Sequence, residues 1–242
     1  MVSPELAKVA KVVVDEFLDV RPGEELLIVI DSRTPFECGY VFRNAGVAAG
    51  AKTTLMEIPK PTYGFDYCFD YLPPKSVVAA IENCDVLINF SVGYSDFLIK
   101  ALREGKIRGI GPGGGPMTDE VLVRTVGEID SETMKDEMER MAALWNKSKT
   151  MRITSEHGTD VSIDIRGITS YGITGHVQRN PPFNMEFLPG GLLQFYDTAP
   201  IKEGTIVIDG GCLFGPVCGF PSEPIRMTVK DNVVIDVKGD KN

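Results

Sequence analysis

The residues with the clearest chemical potential are His157 and His176, the only histidines in the chain. His157 lies between two alternating β-like segments, where a turn exposes polar side chains. His176 lies in a polar, glycine-rich stretch, residues 172–180, where an imidazole could exchange protons or contact a substrate. No second imidazole is spaced to form a site with it. A structural role is favoured for each histidine on its own, and His176 is the better catalytic candidate.

Other polar and aromatic side chains follow in the same part of the sequence. Arg179 and Arg226 could receive a substrate carboxylate through two parallel hydrogen bonds, and ordinary ion pairs explain them equally well. Several aromatic residues could form the apolar wall of a small-molecule pocket, with a β-domain core as the alternative. They are Phe183, Phe187, Phe195, Tyr196 and Phe214.

A glycine run and the cysteines are weaker signals. Gly113-Gly114-Gly115 separates a predicted strand from a predicted helix, so it could hold a small anion, but a close-packed loop or hinge is favoured. Cys212 and Cys218 lack partner ligands for a metal site, and small buried side chains are the better interpretation. The chain has five cysteines at scattered spacings, which argues for a reducing compartment rather than a disulfide framework.

Composition bounds the class of protein. The chain has 242 residues and a net charge of -9, and it contains no Lys/Arg-rich run. Nucleic acid is therefore not an expected partner. No apolar stretch is long enough to span a bilayer and no signal peptide is evident, so we expect a cytoplasmic protein without membrane association.

The elements that must position these residues change character along the chain. Buried strands alternating with helices predict a parallel sheet flanked by helices, an α/β Rossmann-like domain over residues 1–147. Alternating strands, tight turns and no further helix predict a mostly antiparallel β domain over residues 148–242. The predicted helices are 4–17, 34–49, 75–83, 95–104, 117–126 and 131–146. The predicted strands are 26–30, 52–58, 86–90, 107–110, 151–155, 161–165, 192–196, 205–208, 225–229 and 233–237.

Four segments of the β half carry a family resemblance, in the same order along the chain. Residues 152–167 resemble the "TS..GTDL.F.I.GR" hairpin of aminopeptidase T-like proteins, and Phe187–Gly191 resembles their "LPGGE" turn. Residues 203–210 resemble their "GTIVIDGS" strand, and residues 223–236 their "EPIRLTVKDGRVVDI" hairpin. The same architecture is shared with 2,5-dihydroxypyridine 5,6-dioxygenase, a mononuclear iron enzyme. The resemblance implies this fold, a divalent metal (iron, zinc or cobalt) and a dimer.

Two departures from the family pattern concern the metal. The glutamate that ends "LPGGE" ligates metal in the peptidases, and the matching residue here is Leu192, which cannot bind a cation. The other family ligands follow the last hairpin, and no residue up to Asn242 matches them. No metal ligand is therefore assigned within this chain. Glu186 is the best substitute for the missing glutamate, and with His176 it forms the predicted catalytic pair. Gly190, Gly191, Arg179 and Phe195 are the predicted substrate-binding residues.

The leading hypothesis is a subunit or fragment of a metal-dependent enzyme, similar to dihydroxypyridine dioxygenase. Its substrate would be a small aromatic, heterocyclic or carboxylate-bearing molecule. The metal ligands would come from outside the chain, through a further segment or a complementary subunit. One alternative is a metalloaminopeptidase seen as a fragment, which Leu192 counts against. The other is a non-catalytic subunit that binds a small molecule or serves as a scaffold.

Overall fold

The structure is a computed structural model, and it describes residues 3–59, 73–91, 96–112, 118–177, 184–188, 190–195, 200–214 and 217–239. The helices are α1 (Pro4–Val12), α2 (Phe36–Ala48), α3 (Lys75–Glu82), α4 (Asp96–Arg103), α5 (Asp119–Leu122) and α6 (Ser131–Lys147). Two of them continue as π-helical turns, α1 over Val13–Phe17 and α5 over Val123–Gly127. None of the helices among these residues has the length and apolar character needed to cross a membrane.

Fourteen strands form four sheets within the described part of the chain. The first seven are β1 (Glu25–Asp31), β2 (Lys52–Ile58), β3 (Val86–Asn89), β4 (Arg108–Pro112), β5 (Thr150–Thr154), β6 (Asp160–Asp164) and β7 (Ser170–Ile173). The others are β8 (Met185–Leu188), β9 (Leu192–Phe195), β10 (Ile201–Ile208), β11 (Cys212–Phe214), β12 (Val217–Gly219), β13 (Ile225–Lys230) and β14 (Val233–Lys238).

The first sheet is parallel and has the order β2-β1-β3-β4-β8. Its strand β1, which lies between β2 and β3, is apolar from Leu26 to Ile30, and alternate residues face opposite sides. Ile28 and Ile30 belong to a core shared with α1, α2 and α5. Leu27 and Val29 belong to a second core shared with α3 and α4. A strand buried on both faces explains the unbroken apolar run in the sequence.

The second sheet is antiparallel and has the order β14-β13-β10-β6-β5. Two short two-stranded sheets, β7 with β9 and β11 with β12, complete the β-rich part. The predicted fold class, an α/β parallel sheet flanked by helices and followed by a mostly antiparallel β domain, is confirmed.

Four strands, β7, β8, β11 and β12, lie where the sequence analysis predicted none, and β8 is the one that carries a candidate site residue. Residues 187 and 188, assigned to a turn by the sequence motif, belong to β8, which joins the first sheet parallel to β4 with Ile110 opposite Glu186. The strand is only four residues long and has no strict alternation of apolar and polar residues. Its place in the sheet therefore depends on tertiary pairing, which a local pattern does not encode.

By internal contacts the chain forms two compact units. Unit 1 comprises residues 1–136 and 173–192, and unit 2 comprises residues 137–172 and 193–242. Unit 1 thus contains the parallel sheet with β8, and unit 2 contains the antiparallel sheet. The sequence boundary near residue 147 stays a prediction about independent domains.

Candidate functional site

Glu186 is held in unit 1 by the backbone of a neighbouring turn. Its Oε2 accepts hydrogen bonds from the backbone N–H groups of Thr174 at 3.0 Å and Gly175 at 3.2 Å. Burial raises the pKa of the Glu186 carboxyl to about 7, and the two N–H donors offset that rise only in part. Both protonation states of Glu186 are therefore accessible near neutral pH, as a general acid or base requires.

His176 lies on the same turn, two residues after Thr174. Its Nδ1 is 3.2 Å from the Thr174 carbonyl oxygen, and its backbone N–H donates to the Thr174 hydroxyl at 3.3 Å. Because a carbonyl oxygen only accepts, this contact assigns the hydrogen to Nδ1. The ring packs on Phe17, with centroids 4.9 Å apart and planes inclined at 51°.

The other ring nitrogen of His176 faces a carboxylate. Nε2 is 3.3 Å from Oε1 of Glu132, within ion-pair distance. The contact does not have hydrogen-bond geometry, and the buried Nε2 has no hydrogen-bond partner among the described residues. The imidazole is 15% exposed and Glu132 is 69% exposed. We therefore regard the pair as an electrostatic contact rather than a hydrogen bond.

Thr174 brings the predicted catalytic pair into one arrangement. Its N–H binds Glu186, while its carbonyl and hydroxyl oxygens bind His176. Residue 174 is 8% exposed, so these bonds are sheltered from water. The sequence analysis missed Thr174 and Glu132. Thr174 could have been found from the polar sequence before β8. No local pattern links Glu132 to a histidine 44 positions away.

The predicted substrate-binding glycines pack against this turn. Gly190 and Gly191 both have left-handed backbone conformations, with φ of +85° and +79°. A Cβ atom on Gly190 would lie 3.0 Å from the Thr174 carbonyl carbon and 3.0 Å from Cε of Met134. The N–H of Gly191 donates to the Ile173 carbonyl at 2.8 Å. These contacts give both glycines a packing role beside the catalytic candidates, and the substrate-binding role stays a prediction.

The remaining predicted site residues belong to unit 2 or lie outside the described residues. Phe195 belongs to unit 2, where its ring packs on Trp145 with centroids 5.1 Å apart. Arg179 lies outside the described residues, as do Phe183, Tyr196 and Gly113–Gly115. The strands β11 and β12 hold Cys212 and Cys218, whose side chains are outside the description.

The other histidine is on the surface, in the predicted hairpin between β5 and β6. Its ring is hydrogen bonded to Asp209, and its side chain is 63% exposed. The exposed guanidinium of Arg226 donates to the His157 carbonyl at 3.3 Å, so it also contacts this turn. These contacts support the structural interpretation of His157.

A second polar cluster in unit 1 was not predicted from the sequence. The chain passes from β1 to β2 on one side and then to β3 on the other, so the strand order reverses between β1 and β3. At their carboxyl ends the buried Asp31 accepts hydrogen bonds from Arg33 Nη2 at 2.6 Å and from the Ser91 hydroxyl at 2.9 Å. The arginine and serine contacts hold the pKa of Asp31 below its usual value despite burial. Crevices at such reversal points often bind ligands. The reversal of strand order was therefore the signal that could have pointed to this cluster.

The described side chains do not fit a metal ion. No group of three or more His, Cys, Asp or Glu residues lies close enough to hold one within the described ranges. Among the described residues, His176 is paired with one carboxylate, that of Glu132, and His157 with one, that of Asp209. Leu192, where the family motif has its glutamate, is the first residue of β9 and is 53% exposed. The described part of the chain supplies acid–base and packing groups rather than a metal site.

Comparison with known proteins agrees with this architecture. The solved 2,5-dihydroxypyridine dioxygenase of Pseudomonas putida KT2440 aligns with a TM-score of 0.72 at 18% identity, over 99% of this chain and 69% of that one. Wild-type AmpT from Thermus thermophilus aligns with a TM-score of 0.67 at 12% identity, over 98% of this chain and 72% of that one. These likenesses establish the fold.

The sequence itself decides the family. The profile described as 2,5-dihydroxypyridine 5,6-dioxygenase matches residues 13–242. The chain therefore belongs to the 2,5-dihydroxypyridine 5,6-dioxygenase family. No curated protein sequence matches it.

Proposed function

We propose that this chain is a part or subunit of a metal-dependent enzyme related to 2,5-dihydroxypyridine 5,6-dioxygenase. Its substrate is a small aromatic, heterocyclic or carboxylate-bearing molecule. The family match over residues 13–242 is the observation that carries the proposal. The metal, which would supply the oxygen chemistry, is held by ligands outside the residues described here.

In this proposal His176 and Glu186 move protons for the reaction. A Glu186 carboxyl protonated on Oε1 keeps both backbone bonds at Oε2, so it can release and regain a proton without loss of its position. His176 is oriented through Nδ1, and its Nε2 faces the exposed carboxylate of Glu132, which is the route for proton exchange with the ring. The glycine turn 190–191 keeps the Thr174 backbone in place for both groups.

The first test measures two things separately: whether this chain supplies the metal ligands, and whether it catalyses the reaction. The 242-residue chain is incubated with Fe(II) under anaerobic conditions, desalted and analysed for iron, and oxygen uptake is followed with 2,5-dihydroxypyridine. We expect far less than one equivalent of iron and no uptake from the chain alone, with both restored in the protein assembled with its remaining segment. One equivalent of iron held by the chain's own residues would contradict the proposal.

The same preparations distinguish the alternatives. Release of amino acids from dipeptides with added cobalt or zinc would replace the dioxygenase with a hydrolase, for which Leu192 is an unfavourable residue. Binding of the dihydroxypyridine without metal and without turnover, in the assembled protein, would indicate a non-catalytic subunit. Homodimer or complementary-subunit assembly is part of the proposal and is measured by sedimentation of the same samples.

A further inference from the structure

Helix α2 carries a line of large side chains on its outer face, here called the α2 row. Its members are Phe36, Tyr40, Arg43 and Val47, at successive intervals of four, three and four residues. The three apolar or aromatic members are 46%, 39% and 56% exposed. The opposite face of α2 already packs in the core of unit 1. The spacing of the α2 row is that of the seam through which two helices pack side by side.

Three side chains of the α2 row are ordered by contacts along the helix. The rings of Phe36 and Tyr40 meet edge to face, with centroids 4.7 Å apart and planes inclined at 70°. The guanidinium of Arg43 lies over the Tyr40 ring, 5.3 Å from its centroid. Aromatic and arginine side chains carry much of the binding energy of protein interfaces, and side chains ordered beforehand lose less entropy on binding. The α2 row is therefore preorganised for a protein partner.

The order of residue types along the α2 row favours a second copy of this chain as that partner. A twofold axis crossing α2 between residues 41 and 42 exchanges position 36 with position 47, and position 40 with position 43. Two antiparallel helices then place each Phe36 on Val47 of the other copy, and each Tyr40 on Arg43 of the other copy. The first contact is apolar and the second is a cation on an aromatic face, so both are favourable.

A groove beside the α2 row fits the same arrangement. It lies between α1 and α2, has a volume of about 470 Å³ and is lined largely by small apolar side chains. These are Ala7, Ala45, Ala48 and Ala49. The ion pair of Lys11 with Asp15 also lines the groove. Because Ala48 follows Val47, Phe36 of the second copy comes to the edge of the groove, as a knob that enters a hole between small residues.

The charges of α2 are compatible with a contact between two copies. The chain has a net charge of -9, so two copies repel each other overall. The helix α2 itself carries one acidic and one basic side chain, Glu37 and Arg43, and is neutral. Neither forms an ion pair with another of the described residues. A membrane or nucleic-acid partner would require a cationic surface, which this neutral helix does not supply.

We propose that two copies of this chain associate through the α2 row and the adjoining groove, with their α2 helices antiparallel. The inference goes beyond the proposed function, which names no surface for a second copy, and it holds whether or not the protein turns over a substrate. A helix of 13 residues is about 20 Å long. One such helix pair buries less than the roughly 800 Å² per partner of a standard interface, so we expect a dissociation constant of about 1–100 µM.

Sedimentation equilibrium over a wide range of protein concentration at neutral pH tests the contact. The protein is used at its natural length, without added metal. Phe36→Lys places a charge against Val47 at both ends of the helix pair, and Val47→Glu places one against Phe36. Each variant should weaken dimerisation by roughly tenfold or more. Because both side chains are exposed, each variant should keep the melting temperature of the wild type.

A mixture of the two variants tests the antiparallel arrangement itself. In a dimer of one Phe36→Lys chain and one Val47→Glu chain, the substituted positions face each other at one end as opposite charges. At the other end Phe36 faces Val47 as in the wild type. The equimolar mixture should therefore dimerise far more strongly than either variant alone. Leu144→Lys, at a position 64% exposed on α6, is the matched control and should dimerise like the wild type.

Three results would overturn the inference. They are a wild-type protein that stays monomeric well above the expected dissociation constant, self-association that Phe36→Lys and Val47→Glu leave unchanged, and a mixture no more dimeric than its components. A dimer with the expected behaviour of the variants but without turnover would refute the proposed function alone. Turnover by a protein that stays monomeric would refute the α2 contact alone.

Discussion

Glu186 couples the candidate site to the stability of the protein at the scale of one residue. Its folded pKa is about 7, above the ordinary value of 4.5. As the pH rises, the unfolded chain loses this proton before the folded chain does. The stability that the protonated carboxyl contributes is thus fully present below pH 4.5 and is lost as the pH passes through 7.

We expect Glu186→Gln to remove this pH dependence. In the wild type the free energy of unfolding should fall by up to roughly 3 kcal/mol between pH 4.5 and 8 through this group alone. Urea unfolding at several pH values measures it. Glu5→Gln, at an exposed position of α1, is the control and should follow the wild type. Equal pH profiles for Glu186→Gln and wild type would contradict the assignment.

Gly190 allows a second test at this scale. Gly190→Ala combines a left-handed conformation with a Cβ atom at 3.0 Å from Thr174, so it should destabilise the protein by about 1–3 kcal/mol. Gly167 has a φ of +75° and open space around its Cβ position, so Gly167→Ala reports the conformational cost alone. If the two variants lose the same stability in urea, the packing against Thr174 has no energetic importance.

Residue patterns showed part of the site and missed the rest for a physical reason. Glycine, histidine and carboxylate in one stretch were enough to select His176, Glu186 and the 190–191 turn, because all lie close in sequence. Glu132 comes from the start of α6 and Asp31 from the end of β1, so only folding brings their neighbours to them. Arg179 lies outside the described residues, and Phe195 belongs to unit 2.

At the scale of elements, the close approach of α2 to the first sheet depends on glycine. A Cβ atom on Gly46 would lie 2.4 Å from Leu26 Cδ2 and 2.7 Å from Thr53 Oγ1. Gly46→Ala should therefore destabilise the protein by roughly 1–3 kcal/mol, although alanine favours a helix. Ala48→Gly, at an exposed position of the same helix, should cost about 1 kcal/mol through propensity alone. A Gly46→Ala variant more stable than wild type would show that α2 can move away from the sheet.

A buried ion pair joins three elements of unit 1. Arg108 on β4 donates to both oxygens of Glu24 at 3.0 and 2.7 Å, and to the carbonyl oxygens of Leu18 and Asp19. Its side chain is 9% exposed. Arg108→Ala removes the guanidinium from the Glu24 carboxylate and from two carbonyl oxygens, and we expect a loss of roughly 3–5 kcal/mol in thermal or urea unfolding.

An exposed arginine provides the comparison. Arg21→Ala removes a surface pair with Asp19 and should cost less than about 1 kcal/mol. Arg108→Lys keeps the charge but not the two parallel bonds, so it should fall between the alanine variant and wild type. A lysine variant equal to wild type would mean that charge, rather than geometry, holds these elements together.

The elements were largely readable from the sequence, and the exceptions share a cause. Strand β2 and helix α3 match their predicted positions within a residue, since each is bounded by glycine, proline or asparagine. β7, β8, β11 and β12 were missed because each has only three or four residues and a weak pattern. The parallel pairing of β8 with β4 was missed because it joins residues about 75 positions apart.

At the scale of the whole molecule, the net charge and the exposed aliphatic side chains of β14 together control association. These side chains are Val233, Val234, Ile235 and Val237. The sequence gives an isoelectric point near 4.9. Near that pH charge repulsion between molecules vanishes, so the exposed aliphatic strand should drive association of the isolated chain. Light scattering from pH 4 to 8 should peak close to pH 5. Val234→Lys with Val237→Lys should reduce the peak height, measured at its own maximum, and an unchanged peak would point to another surface.

The π-helical turn that ends α1 has a consequence for comparing sequences. Its hydrogen bonds reach five residues back, as from the Leu18 N–H to the Val13 carbonyl at 2.9 Å, so it accommodates one residue more than an α-helical turn. A relative with an ordinary helix here would need a one-residue gap in any alignment. The position of that gap decides whether a given residue of the relative is aligned with Phe17, which packs on the His176 ring, or with Leu18.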